Sequence, residues 1–496
     1  LPTNTLKYPI SKSQYLSFTK CSNSFYLHNQ NLIEKTSTPH SGSLEWFEFI
    51  SLCSSYFQNI TTIQRSQSKE TQRLETYDAV KNQNTILGGY FESEEYASYI
   101  ECLVPDEKSE GWILFDFRPV SSNKLDIIRS LYFQRKLLQS IGLKIIDTRL
   151  IRIQASYQME GNEIDRDSFL HIESLTEKLI KENQRFDEEW ALFLEYQKNP
   201  IFPGADDSLP SCKSPKGCYA ETICFKDNDI ASYEIFELRE GHEIPKKLYQ
   251  MGIKTFAEIP DEELNPIQKI QKNAHVTDIT YFDVLQLQNF FETVSDTVCF
   301  LDFESVNPTL PIFPLTRPFQ HIPFLFSLHI WDTKTDTLSD FSYIHPPELG
   351  DPRNQILSEL MRLIPKDTTI FSFNDFFEKQ IIEDLIKFNP EHIEFWNAIH
   401  SNFKDLAIPF KKFWIYSPRQ KGKASLKEIL PAFSDTNHFG LSIREGQDAN
   451  YQYLRLLKKQ VTLEEKIRVL EDLVSYCKMD TFGLFILYKM MKEKLN

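Results

Sequence analysis

The stretch Val298-Cys-Phe-Leu-Asp-Phe-Glu-Ser-Val-Asn-Pro308 constrains the fold of this chain more than any other. From Val298 to Phe303 it is apolar and β-prone on both faces, which suits a central strand covered from both sides. Side chains alternate along a strand, so Asp302 and Glu304 point the same way. Two carboxylates at the end of such a strand repel each other unless a cation lies between them. Oxygen ligands of this kind favour Mg²⁺ or Mn²⁺. A strand running into a solvated acidic turn would carry the same residues, so the pair needs support from elsewhere in the chain.

That support lies downstream. A Pro-rich loop (Pro308 to Pro323) leads to a strand from Phe324 to Trp331 and a third near Phe341. From Thr368 a β-branched and aromatic strand turns at Asn374 into a helix, with Glu378 in its first turn, where the helix dipole favours a carboxylate. Leu473 to Thr481 belongs to a long amphipathic helix opened by a capping box of Thr462 and Glu465. Tyr476 and Asp480, four residues apart, share one face of it. Asp302, Glu304, Glu378 and Asp480 together suit two divalent ions ~3.5–4 Å apart. Tyr476 is placed to orient an attacking water.

A formal net charge of −15 over 496 residues argues against a protein that coats nucleic acid by charge alone. It leaves room for a local basic path. Lys411, Lys412, Arg419, Lys421, Lys423 and Lys427 interleave with Phe413, Trp414 and Tyr416, as a single-strand path of phosphate-tracking cations and base-stacking rings requires. A solvated basic loop over a buried aromatic cluster would read the same way. No apolar run reaches the ~18 residues of a membrane helix, and no signal peptide is evident. The eight cysteines are not spaced as a secreted disulfide framework, so a cytoplasmic location is expected.

The length allows two or three domains. Ile10 to Ser22 predicts a serine-capped helix with Cys21 near its end. Strands are expected near Ile86, over Tyr99–Val104, Gly111–Arg118 and Leu143–Ile153, with a helix over Ser121–Gly142, which is an α/β order. Asp165 to Gln197 and Ala231 to about Phe291 read as helical; Leu248 to Pro260 has the pattern of a helix-hairpin-helix unit or a plain helix turn. Cys212, Cys218 and Cys224 recur at x5 spacing, and three thiolates need a fourth ligand to close a tetrahedral zinc site or a cubane cluster.

In three stretches the C-terminal region resembles the DnaQ-like exonucleases of the RNase H-like fold. Asp302 and Glu304 resemble the first motif, Asn374-x-x-Phe-Glu378 the second, and Tyr476-x-x-x-Asp480 the third; Glu378 stands where that family has Asp. The whole chain resembles a bacterial family of the domain of unknown function 2779 type, through Leu301–Glu304, Arg317–Phe324, Phe373–Glu378, Ala424–Pro431 and Tyr476–Thr481. This resemblance implies a RecB-like, restriction-endonuclease-type α/β domain over residues 1–230, a helical connector over 231–291 and a DnaQ-like domain with a mixed central sheet over 292–496. It implies an iron–sulfur cluster of the [4Fe-4S] kind, with zinc as the alternative, held by Cys21 with Cys212, Cys218 and Cys224. Glu101, Asp116, Arg118 and Gln134 fall where RecB-like nucleases carry Asp, Glu, Lys and Gln. Arginine does not give up its proton, so hydrolysis at that second site is expected to be lost. The expected function is a two-metal 3′–5′ exonuclease, acting on DNA more than on RNA. The alternative is a non-catalytic nucleic-acid-binding or assembly protein in which both nuclease folds have decayed.

Overall fold

The computed structural model describes residues 9–29, 41–106, 108–198, 218, 224, 233–239, 243–435, 442–443 and 445–495. The chain forms two compact units. An N-terminal unit comprises Leu1–Ile230 with Thr309–Pro318, and a C-terminal unit comprises Ala231–Pro308 with Phe319–Asn496. Both are mixed α/β. Among the described residues no helix is long and apolar enough to cross a membrane.

The N-terminal unit is built on a seven-stranded sheet. Its strands are β1 (Ile10–Ser11), β2 (Ile60–Thr62), β3 (Thr85–Glu92), β4 (Tyr96–Asp106), β5 (Gly111–Arg118), β6 (Ile145–Ile153) and β7 (Leu170–Ser174). The order is β2-β3-β4-β5-β6-β7, with β1 beside β4. Strands β5 and β6 are parallel, and the helix Leu125–Ser140 crosses between them. It buries Ile128, Leu131 and Leu138 against Ile100, Leu114 and Leu150 of the sheet. The region from Asp165 is not wholly helical as expected. Leu-His-Ile-Glu-Ser alternates with period two and pairs antiparallel with β6, where Glu173 meets Arg152 at 2.9 Å. The helix Lys12–Lys20 opens at Ser11 through a complete capping box with Gln14 and ends at Cys21. The segment Thr309–Pro318 belongs here because the buried Glu45 carboxylate accepts the Thr309 and Leu310 N–H groups, each at 2.9 Å.

The C-terminal unit holds a five-stranded sheet of β9 (Thr297–Val306), β10 (Ile322–Asp332), β11 (Thr337–Ile344), β12 (Thr369–Ser372) and β13 (Phe403–Asp405); a separate short strand β8 (Tyr281–Phe282) pairs with Ile415–Tyr416. The order is β11-β10-β9-β12-β13. Pairs β9–β10 and β10–β11 are antiparallel; β9–β12 and β12–β13 are parallel. Strand β9 is therefore central. Its odd residues Cys299, Leu301 and Phe303 enter one core with the helices Arg353–Leu363 and Phe376–Phe388. Its even residues Val298 and Phe300 enter another, with Leu484, Leu487 and Tyr488 of the long helix Leu463–Glu493.

The segment expected as a helical connector clusters with the C-terminal unit. Gln271 Nε2 and His275 Nε2 of the helix Pro266–Thr277 reach the Tyr416 hydroxyl at 3.1 and 2.8 Å. These contacts and the β8 pairing draw residues 243–291 into the C-terminal unit.

Candidate metal site

The period of two that buries Val298 and Phe300 carries Asp302 and Glu304 onto the same side of β9, toward the long helix. That helix starts at Thr462, whose hydroxyl accepts the Glu465 N–H at 3.2 Å. The Glu465 side chain does not close the expected capping box; it is drawn to Arg455 at 2.9 Å. Four turns further on, Tyr476, Cys477 and Asp480 face the strand end and are buried. Asp302, Glu304 and Asp480 place ligand oxygens within 4.8 Å of one another, and no other group of described histidines, cysteines and carboxylates does so.

The electrostatics of this trio are severe. Burial raises the Asp302 carboxyl well above the ordinary carboxylate range, and Asp480 raises it further, while the Cys477 thiol and Lys427 act the other way. Glu304 is raised by burial, then by Asp302 and Asp480. The Cys477 thiol donates to Asp302 Oδ2 at 3.4 Å and is itself pushed up by burial and by the three carboxylates. The Tyr476 phenol is driven up by burial and then by Asp480, Glu304 and Asp302, so it keeps its proton. A cation among these oxygens would relieve both the desolvation and the mutual repulsion.

Glu378 does not join the trio within 4.8 Å. It arrives from the opposite layer, in the first turn of the helix Phe376–Phe388, whose Ile381, Ile382 and Leu385 fill the other core. Even so it is buried, and its Oε2 has no hydrogen-bond partner among the described residues. Burial raises it, and Asp302 is the next cause, so the two carboxyls sense each other. The turn before it is held tightly. Asn374 takes a φ of 66°, Lys411 contacts its side-chain oxygen, and Asp405 accepts the N–H groups of Asn374 and Ala407 at 2.8 Å. Asp405 is thus a cap of this turn.

In the interleaved basic and aromatic stretch, the structure corrects the expected base-stacking role of Phe413 and Tyr416. Tyr416 is only 1% exposed and stacks on the buried Phe413 at 4.7 Å between ring centroids, so neither ring can meet a base. Trp414 is half-buried beside Phe290. Lys411 is committed to Asp405 and Asn374, and Lys423 to Glu428 at 2.7 Å. Lys412, Arg419 and Lys421 are exposed. Lys427 of this series bears on the carboxylates. Its Nζ lies 5.2 Å from the centroid of the Tyr476 ring, and its charge favours ionised Asp302 and Glu304.

In the N-terminal unit, Asp116 is fully buried and accepts from Arg118 Nε at 2.7 Å; Glu101 faces Arg65 at 3.6 Å. Gln134 donates to the Tyr99 carbonyl at 3.0 Å, while its Oε1 and Asp116 Oδ1 lack partners among the described residues. Sequence reasoning missed Lys12. Burial lowers its pKa, and Asp116 and Glu101 oppose that shift, which places its amine with this group. The parallel pairing of β1 with β4 puts it there, and no local pattern announces a two-residue strand.

Of the proposed cluster ligands, Cys212 lies outside the described residues. Cys21 is exposed at the helix end. Cys218 and Cys224 pack against Tyr26, Leu27 and Tyr196, and Asn23 Nδ2 approaches Cys224 Sγ at 3.8 Å. Both therefore lie beside the helix that Cys21 precedes. The described sulfurs do not form a group as compact as the acidic trio.

Fold and site together define an α/β protein with a buried carboxylate centre at the end of a central strand. A family model described as Domain of unknown function (DUF2779) matches residues 299–425, a span that includes Asp302, Glu304 and Glu378 and stops short of Tyr476 and Asp480. No curated protein and no solved structure matches the chain.

Proposed function

We propose that the C-terminal unit is a divalent-metal-dependent nuclease that removes nucleotides from a 3′ end, with DNA as its preferred substrate. The observation that carries this reading is the convergence of Asp302, Glu304 and Asp480 within 4.8 Å in a buried setting. Such a group is costly as a purely structural feature and suited to hard cations. Asp302, Glu304 and Asp480 would hold Mg²⁺ or Mn²⁺, with the partnerless Oε2 of Glu378 available to a second ion. Bound there, the metal would supply Lewis acidity toward a phosphoryl oxygen and acidify a water.

The protein's own groups do the rest. Tyr476 keeps its proton, so its phenol donates to and orients a water instead of abstracting a proton from it. The Cys477 thiol holds one Asp302 oxygen and so selects which lone pairs of that carboxylate face the site. A five-stranded mixed sheet with its acids at the end of the central strand fits an RNase H-like fold of the DnaQ-like kind. A seven-stranded sheet crossed by the helix Leu125–Ser140 fits a RecB-like one. We read the N-terminal unit as a nucleic-acid-gripping scaffold, since Arg118 occupies Asp116. Cys21, Cys212, Cys218 and Cys224 are proposed to hold [4Fe-4S], or zinc; the approach of Cys224 to Asn23, two residues past Cys21, supports it. Bound, the group would staple the start of the unit to its end.

The test uses 5′-labelled single- and double-stranded DNA and RNA with Mg²⁺ or Mn²⁺. Stepwise shortening of DNA, abolished in Asp302→Ala, is expected. No shortening with either ion would leave the binding-protein reading, which the separation of Glu378 from the trio favours.

A further inference from the structure

We propose that Lys427 contacts a non-bridging oxygen of the scissile phosphate, acting as a catalytic residue beside the carboxylates. This rests on the nuclease reading above and names a group that the acidic motifs do not include. Three observations point to it. Lys427 stands in the first turn of the helix Leu426–Phe433, and three residues on, Leu430 packs so tightly on Gly483 that a Cβ there would meet its Cδ2 at 2.8 Å. That close approach brings the helix onto the face of the long helix that bears Tyr476 and Asp480. The Lys427 amine then lies over the Tyr476 ring, 5.2 Å from its centroid.

The second observation is electrostatic. The charge of Lys427 favours the ionised forms of Asp302 and Glu304. The third is chemical. A site of carboxylates repels a phosphodiester, and a cation beside the water-orienting phenol offsets that repulsion where charge grows. In the reaction, the water oxygen bonds to phosphorus and the P–O3′ bond breaks. The leaving 3′ oxygen gains a proton from solvent, and the proton lost by the attacking water passes to solvent. Lys427 transfers no proton; it hydrogen-bonds to the phosphoryl oxygen, whose charge rises in the transition state.

Lys427→Met keeps the apolar stem over the Tyr476 ring and removes the charge; Lys427→Arg keeps the charge. Each full-length variant is compared with wild type for shortening of 5′-labelled single-stranded DNA in Mn²⁺, for calorimetric Mn²⁺ binding and for melting temperature. The expected result is a kcat about 10²-fold lower in Lys427→Met with KM nearly unchanged. Mn²⁺ binding should be undiminished or tighter, because a repelling cation is gone, and Lys427→Arg should recover part of the rate. An unchanged kcat in Lys427→Met, or loss of Mn²⁺ binding in step with the rate, would overturn the proposal and leave the nuclease reading intact. Wild-type protein that shortens no nucleic acid would remove both.

Discussion

In Asp302, burial and Asp480 both penalise the charged carboxylate. A carboxyl whose pKa is raised by folding binds more protons folded than unfolded, so its contribution to stability declines as pH rises. Asp302→Asn removes that penalty and should abolish nuclease activity while raising the melting temperature of metal-free protein. The gap between variant and wild type should widen as pH climbs from about 4 toward neutrality. Thermal melts across that range, with chelator present, check it; a gap that narrows would contradict the account. Saturating Mn²⁺ should close the gap, because it stabilises wild type more. Tyr476→Phe keeps the ring and deletes the donor, and is expected to lower kcat by about 10–10²-fold with little change in melting temperature.

At the scale of elements, the arrangement depends on where helices may approach. Gly483 lets the helix Leu426–Phe433 lie against the long helix, and Gly483→Val would force the two apart. A loss of about 1–3 kcal/mol in stability is expected, read by urea unfolding, with a fall in nuclease rate although every carboxylate is retained. Gly422 is held more tightly still. Its φ is 73°, and a Cβ would lie 1.8 Å from the Glu237 carbonyl oxygen, so Gly422→Ala should loosen the connector from the rest of the C-terminal unit and expose it to protease. Strand β9 and the helix carrying Tyr476 and Asp480 were legible in the sequence because periods of two and 3.6 are local signals. The separation of Glu378 was not. It follows from its helix packing on the opposite face of the sheet, which a motif spacing does not encode. Nor was the burial of Tyr416 legible, since an alternation of cations and rings reads alike whether the rings face water or the connector. Strands β7 and β13 were missed because short strands are defined by the partner they pair with.

At the scale of the molecule, a net charge of −15 coexists with two sites that concentrate charge differently. The C-terminal unit gathers carboxylates; the N-terminal unit pairs Asp116 and Glu101 with Arg118 and Arg65 beside Lys12. The first crowds like charges that burial penalises, and the second sets its carboxylates against arginines. On the proposed nuclease reading, substituting Asp116 should leave activity close to wild type, whereas substituting Asp302 should remove it. For the cysteines, anaerobically purified protein is expected to contain iron and to lose it in Cys224→Ser; zinc in its place would select the alternative.

Asp302, Glu304 and Asp480 are proposed to form a cation site. Calorimetric titration of wild-type and Asp302→Asn protein with Mn²⁺ tests this. Saturable binding in wild type, lost or greatly weakened in the variant, is the predicted result. Equal binding by the two proteins, or none by wild type, would contradict it.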